Sequence, residues 1–243
     1  MRLVAICPTY RRPKLIPNVL ALWEMQDYPE DQRHLVILED GGSFDSQVGK
    51  NWTLLTSPER FPTLGLKFGA LCDFAITIMK ADGIVVWEDD DVYLPHHLSA
   101  AADTLKNNDV SCSSVVLSDD GGKGLHDASA IGRHHGAWSF TSDAYIRSGG
   151  YPKESSPPFD FSFLQRLKNA GCSIGDPRKN HKNSYIYRWM TSGYTNGSAF
   201  GNQIHERTEK THTYSYCPGD VIPEIDKLTA EYFQQQGLQF TKD

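Results

Sequence analysis

With 243 residues, 39% of them hydrophobic and 22% charged, the chain is long enough for one large α/β domain or two small ones and has the make-up of a protein with a real core. A net charge of −6, with no basic run longer than Arg11-Arg12, excludes a nucleic-acid backbone as the expected partner, though not a nucleotide met by a metal and one or two cations. Five scattered cysteines (Cys7, Cys72, Cys112, Cys172 and Cys217) form no CxxC pair, which argues against a disulfide framework or zinc ribbon; with no signal-like start and no apolar run of membrane-spanning length, a cytoplasmic protein is expected.

The first hundred residues alternate between two periodicities. Residues 3–7 read as a strand that runs into Pro8-Thr9-Tyr10-Arg11. Residues 13–26 carry Leu15, Val19, Leu22 and Trp23 at helical spacing. Residues 34–40 form a second strand, ending in Glu39-Asp40 and closed by Gly41-Gly42. Residues 66–81 predict a helix with Phe68, Leu71, Ala75, Ile78 and Met79 as its apolar stripe. A third strand over 83–88 leads into Trp87-Glu88-Asp89-Asp90-Asp91. Such alternation implies crossover units and a largely parallel sheet, and ligands on such sheets bind at the carboxyl ends of strands. All three strand ends are polar.

The second half is less regular. The sequence predicts a strand over 109–118, a polar glycine-rich loop over 118–133 and a strand over 136–140. A helix follows over 160–170, with Phe163, Leu164 and Leu167 inward and Gly171 as its stop. Beyond it lie an edge strand over 185–187, a Gly/Ser/Asn-rich loop over 191–201 and a final helix over 223–236. No repeat or linker interrupts the chain, so one domain over 1–243 is expected.

The acidic run carries the most chemistry. Four carboxylates at the end of a buried strand repel one another, and each resists desolvation. A fold tolerates them when a hard cation shares the site, and oxygen-rich clusters suit Mg2+ and Mn2+. The alternative is a solvated acidic turn. The apolar strand before the run and Tyr93-Leu94-Pro95 after it argue against that.

Several segments together resemble a known family. Cys7-Pro8-Thr9-Tyr10-Arg11-Arg12-Pro13 resembles the opening element of family 2 glycosyltransferases. Residues 35–43 resemble their second strand, and 87–95 their DxD segment with its trailing Tyr-Leu-Pro. Gly149-Gly150-Tyr151-Pro152 and the helix opened by Phe159-Asp160 match two later elements. The likeness spans about residues 1 to 175, in family order. It implies the GT-A fold: a nucleotide-binding three-layer α/β/α sandwich with a mostly parallel mixed sheet. Residues 1–110 would then be the nucleotide-binding half and 111–243 the acceptor-binding half. It also implies inverting transfer of a sugar from a nucleoside diphosphate sugar, of UDP type, to a hydroxyl acceptor such as a glycan, with Mn2+ or Mg2+.

The resemblance also implies roles. Asp40 would hydrogen-bond the base, Asp89 the ribose, and Asp90 would meet the metal. Asp91 is a further metal candidate; it and Glu88 would otherwise steady the ligands or cap the turn. Pro8 and Thr9 would shape the base pocket with Arg12 nearby. Tyr10 would stack on the base or lie as a lid over the first helix. Lys67 would steady phosphate or base, or be an exposed helix lysine. Asp160 would be the catalytic base, a role that competes with helix N-capping; Glu154 is the reserve. Trp138 offers a sugar-stacking face or is a core residue, and Arg188 suits the diphosphate. A late histidine common in relatives is missing from the loop after Arg188, where only His205 and His212 follow further on. His134 and His135, adjacent on an extended segment, would point to opposite faces.

Two rivals follow from the same residues. A nucleotidyltransferase would need a glycine-rich basic loop after the first strand, which Pro8-Thr9-Tyr10-Arg11-Arg12-Pro13 lacks. A catalytically silent nucleotide- or glycan-binding module would keep the fold and lose the chemistry.

Overall fold

The computed structural model describes residues 1–189 except 43, 121–124, 131 and 155–157. The loop over 191–201, His205, His212, Cys217 and the helix over 223–236 lie outside the described residues.

In chain order the strands are β1 (Leu3–Thr9), β2 (Arg33–Glu39), β3 (Gln47–Val48), β4 (Trp52–Thr56), β5 (Gly83–Val86), β6 (Val92–Tyr93), β7 (Val110–Cys112), β8 (Val115–Asp120), β9 (Leu125–Ser129), β10 (Trp138–Thr141), β11 (Ile174–Gly175) and β12 (Tyr185–Trp189). The α-helices are α1 (Ile16–Glu24), α2 (Leu64–Thr77), α3 (His97–Leu105), α4 (Ser142–Ser148) and α5 (Phe159–Asn169). An eight-stranded sheet has the order β11-β7-β10-β5-β1-β2-β4-β3, and a four-stranded sheet the order β6-β12-β8-β9. In the large sheet β1 pairs in parallel with β2 and β5, and β2 with β4; β10 runs antiparallel between β5 and β7. This is the expected three-layer α/β/α arrangement on a mostly parallel mixed sheet.

Local chemistry sets the boundaries. Thr63 caps α2 by accepting from the Leu66 N–H at 3.2 Å, and Thr141 caps α4 by accepting from Ala144 at 3.0 Å. The Gly149-Gly150 step needs left-handed backbone at both residues (φ 73° and 68°), which glycine alone adopts without strain. Residues of β1 and β5 from Leu3 to Ile6 and from Ile84 to Val86 are fully buried, as expected for strands covered on both faces. Two aromatic clusters fill the helix–sheet layers. Trp23 meets Trp87 edge-on at 5.5 Å and Trp87 stacks on Tyr93 at 3.9 Å, while Phe68, Tyr151, Phe159 and Phe163 pack together beneath α2 and α5.

Several expectations need correction. The strand over 109–118 is two strands, β7 and β8, which belong to different sheets and part at Ser113-Ser114. The expected loop over 118–133 contains the end of β8 and all of β9, paired as an antiparallel hairpin. β9 reads Leu-His-Asp-Ala-Ser with no buried position, so no apolar run announces it. The expected edge strand is interior: β12 pairs with β6 on one side and β8 on the other. Helix α1 starts later than expected, after a 3₁₀ turn over Pro13–Leu15. No helix among the described residues is long and apolar enough to cross a membrane.

One buried histidine in this framework makes stability depend on pH. His97 opens α3 against Tyr93 and Tyr185, with Nδ1 3.0 Å from the Ser184 hydroxyl. It is 4% exposed, and burial holds its pKa down to about 3. The unfolded chain takes up a proton near pH 6.5 while the folded one does not. For a base with a depressed folded pKa, stability is whole above the unfolded value and is lost as pH falls below it. This residue alone should cost about 2 kcal/mol between pH 7 and pH 5. In urea titrations over that range His97→Leu should flatten the acid limb; an unchanged slope would assign the acid sensitivity to other groups.

Candidate active site at the strand ends

The parallel register aligns the carboxyl ends of β1, β2 and β5. Thr9, the last residue of β1, donates its hydroxyl to Asp89 Oδ2 at 2.6 Å. Its carbonyl accepts from Lys67 Nζ at 2.6 Å, and the same ammonium lies 2.5 Å from Asp40 Oδ1. Asp40 Oδ2 accepts from the Phe61 N–H at 2.9 Å. Lys67 is therefore no exposed helix lysine: its side chain is 1% exposed and that of Asp40 0%. Burial lowers the Lys67 pKa, and Asp40 opposes that shift. Both carboxylate oxygens of Asp40 already accept a hydrogen bond, so a base would have to share them.

The acidic run is the turn by which the chain leaves β5 in the large sheet and enters β6 in the small one. The turn is held from several sides. The Glu88 N–H donates to the Tyr93 hydroxyl at 2.6 Å. Arg12 Nη1 bridges Asp89 Oδ1 at 2.8 Å and Asp90 Oδ2 at 3.0 Å. Asp91 is 2% exposed; its Oδ2 accepts from the Tyr185 hydroxyl and its Oδ1 from the Arg188 N–H at 3.0 Å. Carboxylate oxygens of Glu88, Asp90 and Asp91 lie within 4.8 Å of one another.

Crowded like charges raise the cost of ionising this group. Burial, then Asp90, Asp89 and Asp160, push the Glu88 carboxyl up to about 8. The Glu88 side chain keeps 34% of its surface accessible, so a cation can still reach it. Asp91 is held well above the usual carboxylate range by burial and then by Asp90 and Glu88. Asp89 is raised by burial, with Arg12 and the Thr9 hydroxyl offsetting part of it. Three convergent hard oxygen donors, whose repulsion Arg12 only partly offsets, fit a divalent cation.

The remaining candidates fall around this turn. Pro8 is half-buried on β1. Tyr10 is half-buried beyond β1, with the Arg60 guanidinium 4.1 Å from its ring centroid and that of Arg11 at 5.2 Å. Arg11 itself adopts left-handed backbone (φ 52°), and its N–H donates to the buried Glu39 carboxylate. Asp160 lies in the first turn of α5, but the N-cap position belongs to Pro158 and no side chain caps this helix. Asp160 is thus not the N-cap residue, although its carboxylate still meets a first-turn amide. The Asp160 carboxylate accepts from the Phe161 N–H at 2.8 Å and is near enough to influence Glu88 and His135. Glu154 is exposed on the preceding loop.

The structure decides the setting of two further residues. Trp138 is fully buried in β10, donates to the Arg133 carbonyl at 3.0 Å and packs edge-on to His135, so it is a core residue and offers no sugar-stacking face. Arg188 is 2% exposed in β12, where its backbone holds Asp91. The adjacent histidines diverge. His134 takes left-handed backbone and packs on Tyr187, whereas His135 is buried with Nε2 2.8 Å from the Tyr151 hydroxyl and Nδ1 3.5 Å from Glu88. Burial lowers the His135 pKa to about 4. His135, Tyr185 and Arg60 join the site across long sequence separations, and no local pattern marks them.

No protein-family model and no curated protein matches the chain. Solved structures do. TarS of S. aureus in complex with UDP aligns with a TM-score of 0.61 at 18% identity, over 78% of this chain and 61% of that one. TarS in complex with UDP-GlcNAc gives 0.61 at 18%, over 82% and 63%. The mannosyltransferase PcManGT from Pyrobaculum calidifontis, in complex with GDP-Man and Mn2+, gives 0.54 at 17%, over 78% and 56%. The chain thus spans about three fifths of the length of these structures. At such identities the likeness is one of fold, and the fold is the GT-A type of these glycosyltransferases.

Proposed function

We propose that the chain is an inverting, metal-dependent glycosyltransferase that moves a sugar from a nucleoside diphosphate sugar, of UDP type, to a hydroxyl acceptor. The observation that carries this reading is the carboxylate triad Glu88, Asp90 and Asp91, gathered within 4.8 Å at the strand ends of a GT-A fold, with Asp160 beside it. Those three would hold Mn2+ or Mg2+, which when bound offsets the charge on the departing diphosphate. Pro8, Thr9, Tyr10 and Asp89 border the nucleoside end. Arg12 ties Asp89 to Asp90, and Lys67 keeps Asp40 in line with the strand end. Asp160 takes the acceptor proton as the hydroxyl oxygen attacks the anomeric carbon. Arg188 braces Asp91 through its backbone. The free thiols Cys7, Cys72, Cys112 and Cys172 accord with a reducing, cytoplasmic setting.

Calorimetric titration of UDP, GDP, CDP and dTDP, each with manganese and with chelator, tests the reading. Saturable binding of one nucleotide only with metal is expected; no binding by folded protein would reject it. Asp90→Ala should weaken manganese-dependent UDP binding by roughly tenfold or more and leave the fold intact. Equal affinities in the two proteins would remove Asp90 from the metal site. Proton NMR of the product anomer reports inversion directly.

A further inference from the structure

A second recess of about 200 Å3 lies outside the donor machinery, walled by Cys112-Ser113-Ser114, Gly132, α5 and the segment from Ile174 to Lys179. It sits at the carboxyl end of β7. Both β7 and β5 run antiparallel to β10, so this end shares its sheet edge with the acidic turn. Three residues separate Gly132 from His135, whose ring faces Glu88, a chain reach of at most about 11 Å.

The helical wall descends from the proposed base. Leu164 and Lys168 follow Asp160 at four and eight residues, on one side of α5. Phe161, next to Asp160 and three residues before Leu164, keeps 59% of its surface exposed. From Asp160 to Lys168 the helix rises about 12 Å. Along this side a carboxylate, a flat aromatic face and a cation succeed one another.

Lys168 and Lys179 rim the recess, and neither ammonium has a hydrogen bond or ion pair with another described residue. The carboxylate in the wall, Asp176, is tied to the Ser114 and Arg178 N–H groups at 3.2 and 2.9 Å. Lys168 lies in the last turn of α5, where it complements the helix dipole. That does not account for Lys179, which comes from a separate 3₁₀ turn.

We infer that this recess is an acceptor subsite for an anionic group, phosphate or carboxylate, held between Lys168 and Lys179 about two helical turns from the hydroxyl that reacts at Asp160. The acceptor role rests on the transferase reading above; the anion site does not. A sugar ring of the acceptor would then lie over Phe161.

The test is amide NMR of the full chain in chelator, where the metal-free acidic turn repels anions. Inorganic phosphate and glucuronate are titrated separately into wild type, K168A/K179A and K168R/K179R. Saturable shifts at Gly132 and Gly175 are expected in wild type and the arginine variant, with affinity at least about tenfold weaker in the alanine variant, which loses two charge-assisted contacts. A response to phosphate alone assigns a phosphorylated acceptor, and one to glucuronate alone a uronate. No saturation with either anion, or equal shifts in the alanine variant, overturns the proposal. Both lysines are exposed, so UDP binding with manganese should match across the three proteins. Failure of wild type to bind any nucleotide would reject the transferase reading and leave the anion result to stand separately.

Discussion

Asp160→Asn is expected to lower sugar transfer by about a hundredfold or more while manganese-dependent UDP binding changes little. The amide keeps the shape and the hydrogen bond from the Phe161 N–H, but it cannot take the acceptor proton. Since Pro158 holds the N-cap position, the substitution removes no cap and stability should be nearly unchanged. A loss in kcat with a steady donor KM is the signature of a group that acts only in the transition state. Transfer within about tenfold of wild type would take the role from Asp160 and pass it to Glu154 or to a water.

Lys67→Met should destabilise the fold by about 3–5 kcal/mol. The substitution strands Asp40, whose side chain is 0% exposed, with the Phe61 N–H as its remaining hydrogen-bond donor among the described residues. It also leaves the Thr9 carbonyl without its 2.6 Å donor at the strand end. A buried pair contributes little relative to well-packed apolar residues, but breaking one half leaves a charge that nothing compensates. Asp40→Asn combined with Lys67→Met should therefore recover much of the loss. Urea denaturation of the two single variants and the double variant measures this. A single-variant cost below about 1 kcal/mol would mean that water or a backbone shift relieves the stranded carboxylate.

Sequence and structure agree where short-range pattern decides. The apolar runs of β1, β2 and β5 are visible because burial on both faces leaves continuous hydrophobic segments; of the stripe expected on α2, Phe68, Leu71 and Ala75 are buried, but the helix ends at Thr77 rather than 81 and Ile78 is exposed. Gly171 marks the end of α5 as expected, with left-handed backbone just past the last helical residue. Several short elements escaped notice, and three show why. β4 has one buried residue, Leu54, and mixes apolar with polar positions; β9 faces solvent; α3 is alanine-rich and opens without a side-chain cap. Within the site, the acids were legible and their partners were not. Asp91 could be placed near a metal from its neighbours in the run, but nothing local pairs it with Tyr185. Trp138 and Lys67 show the converse. A tryptophan and a lysine carry no sign of whether their surroundings are sheet or solvent, and both lie deep in the core.

The bracing of Asp91 sets the order in which this protein can be completed. Its two hydrogen bonds come from β12, 94 and 97 residues later in the chain. During synthesis the acidic turn emerges long before the strand that restrains it. The large parallel core of β1, β2 and β5 can form first, since every strand it needs has by then been made. Until β12 inserts between β6 and β8, Asp91 lacks both of its hydrogen bonds, while Thr9, Arg12 and Tyr93 can already hold the rest of the turn. Contacts of such sequence separation are slow to form because the loop-closure entropy precedes any gain. The step that completes the site is thus a late one in folding, and a nascent chain that stops short of Tyr185 carries Asp91 without its braces.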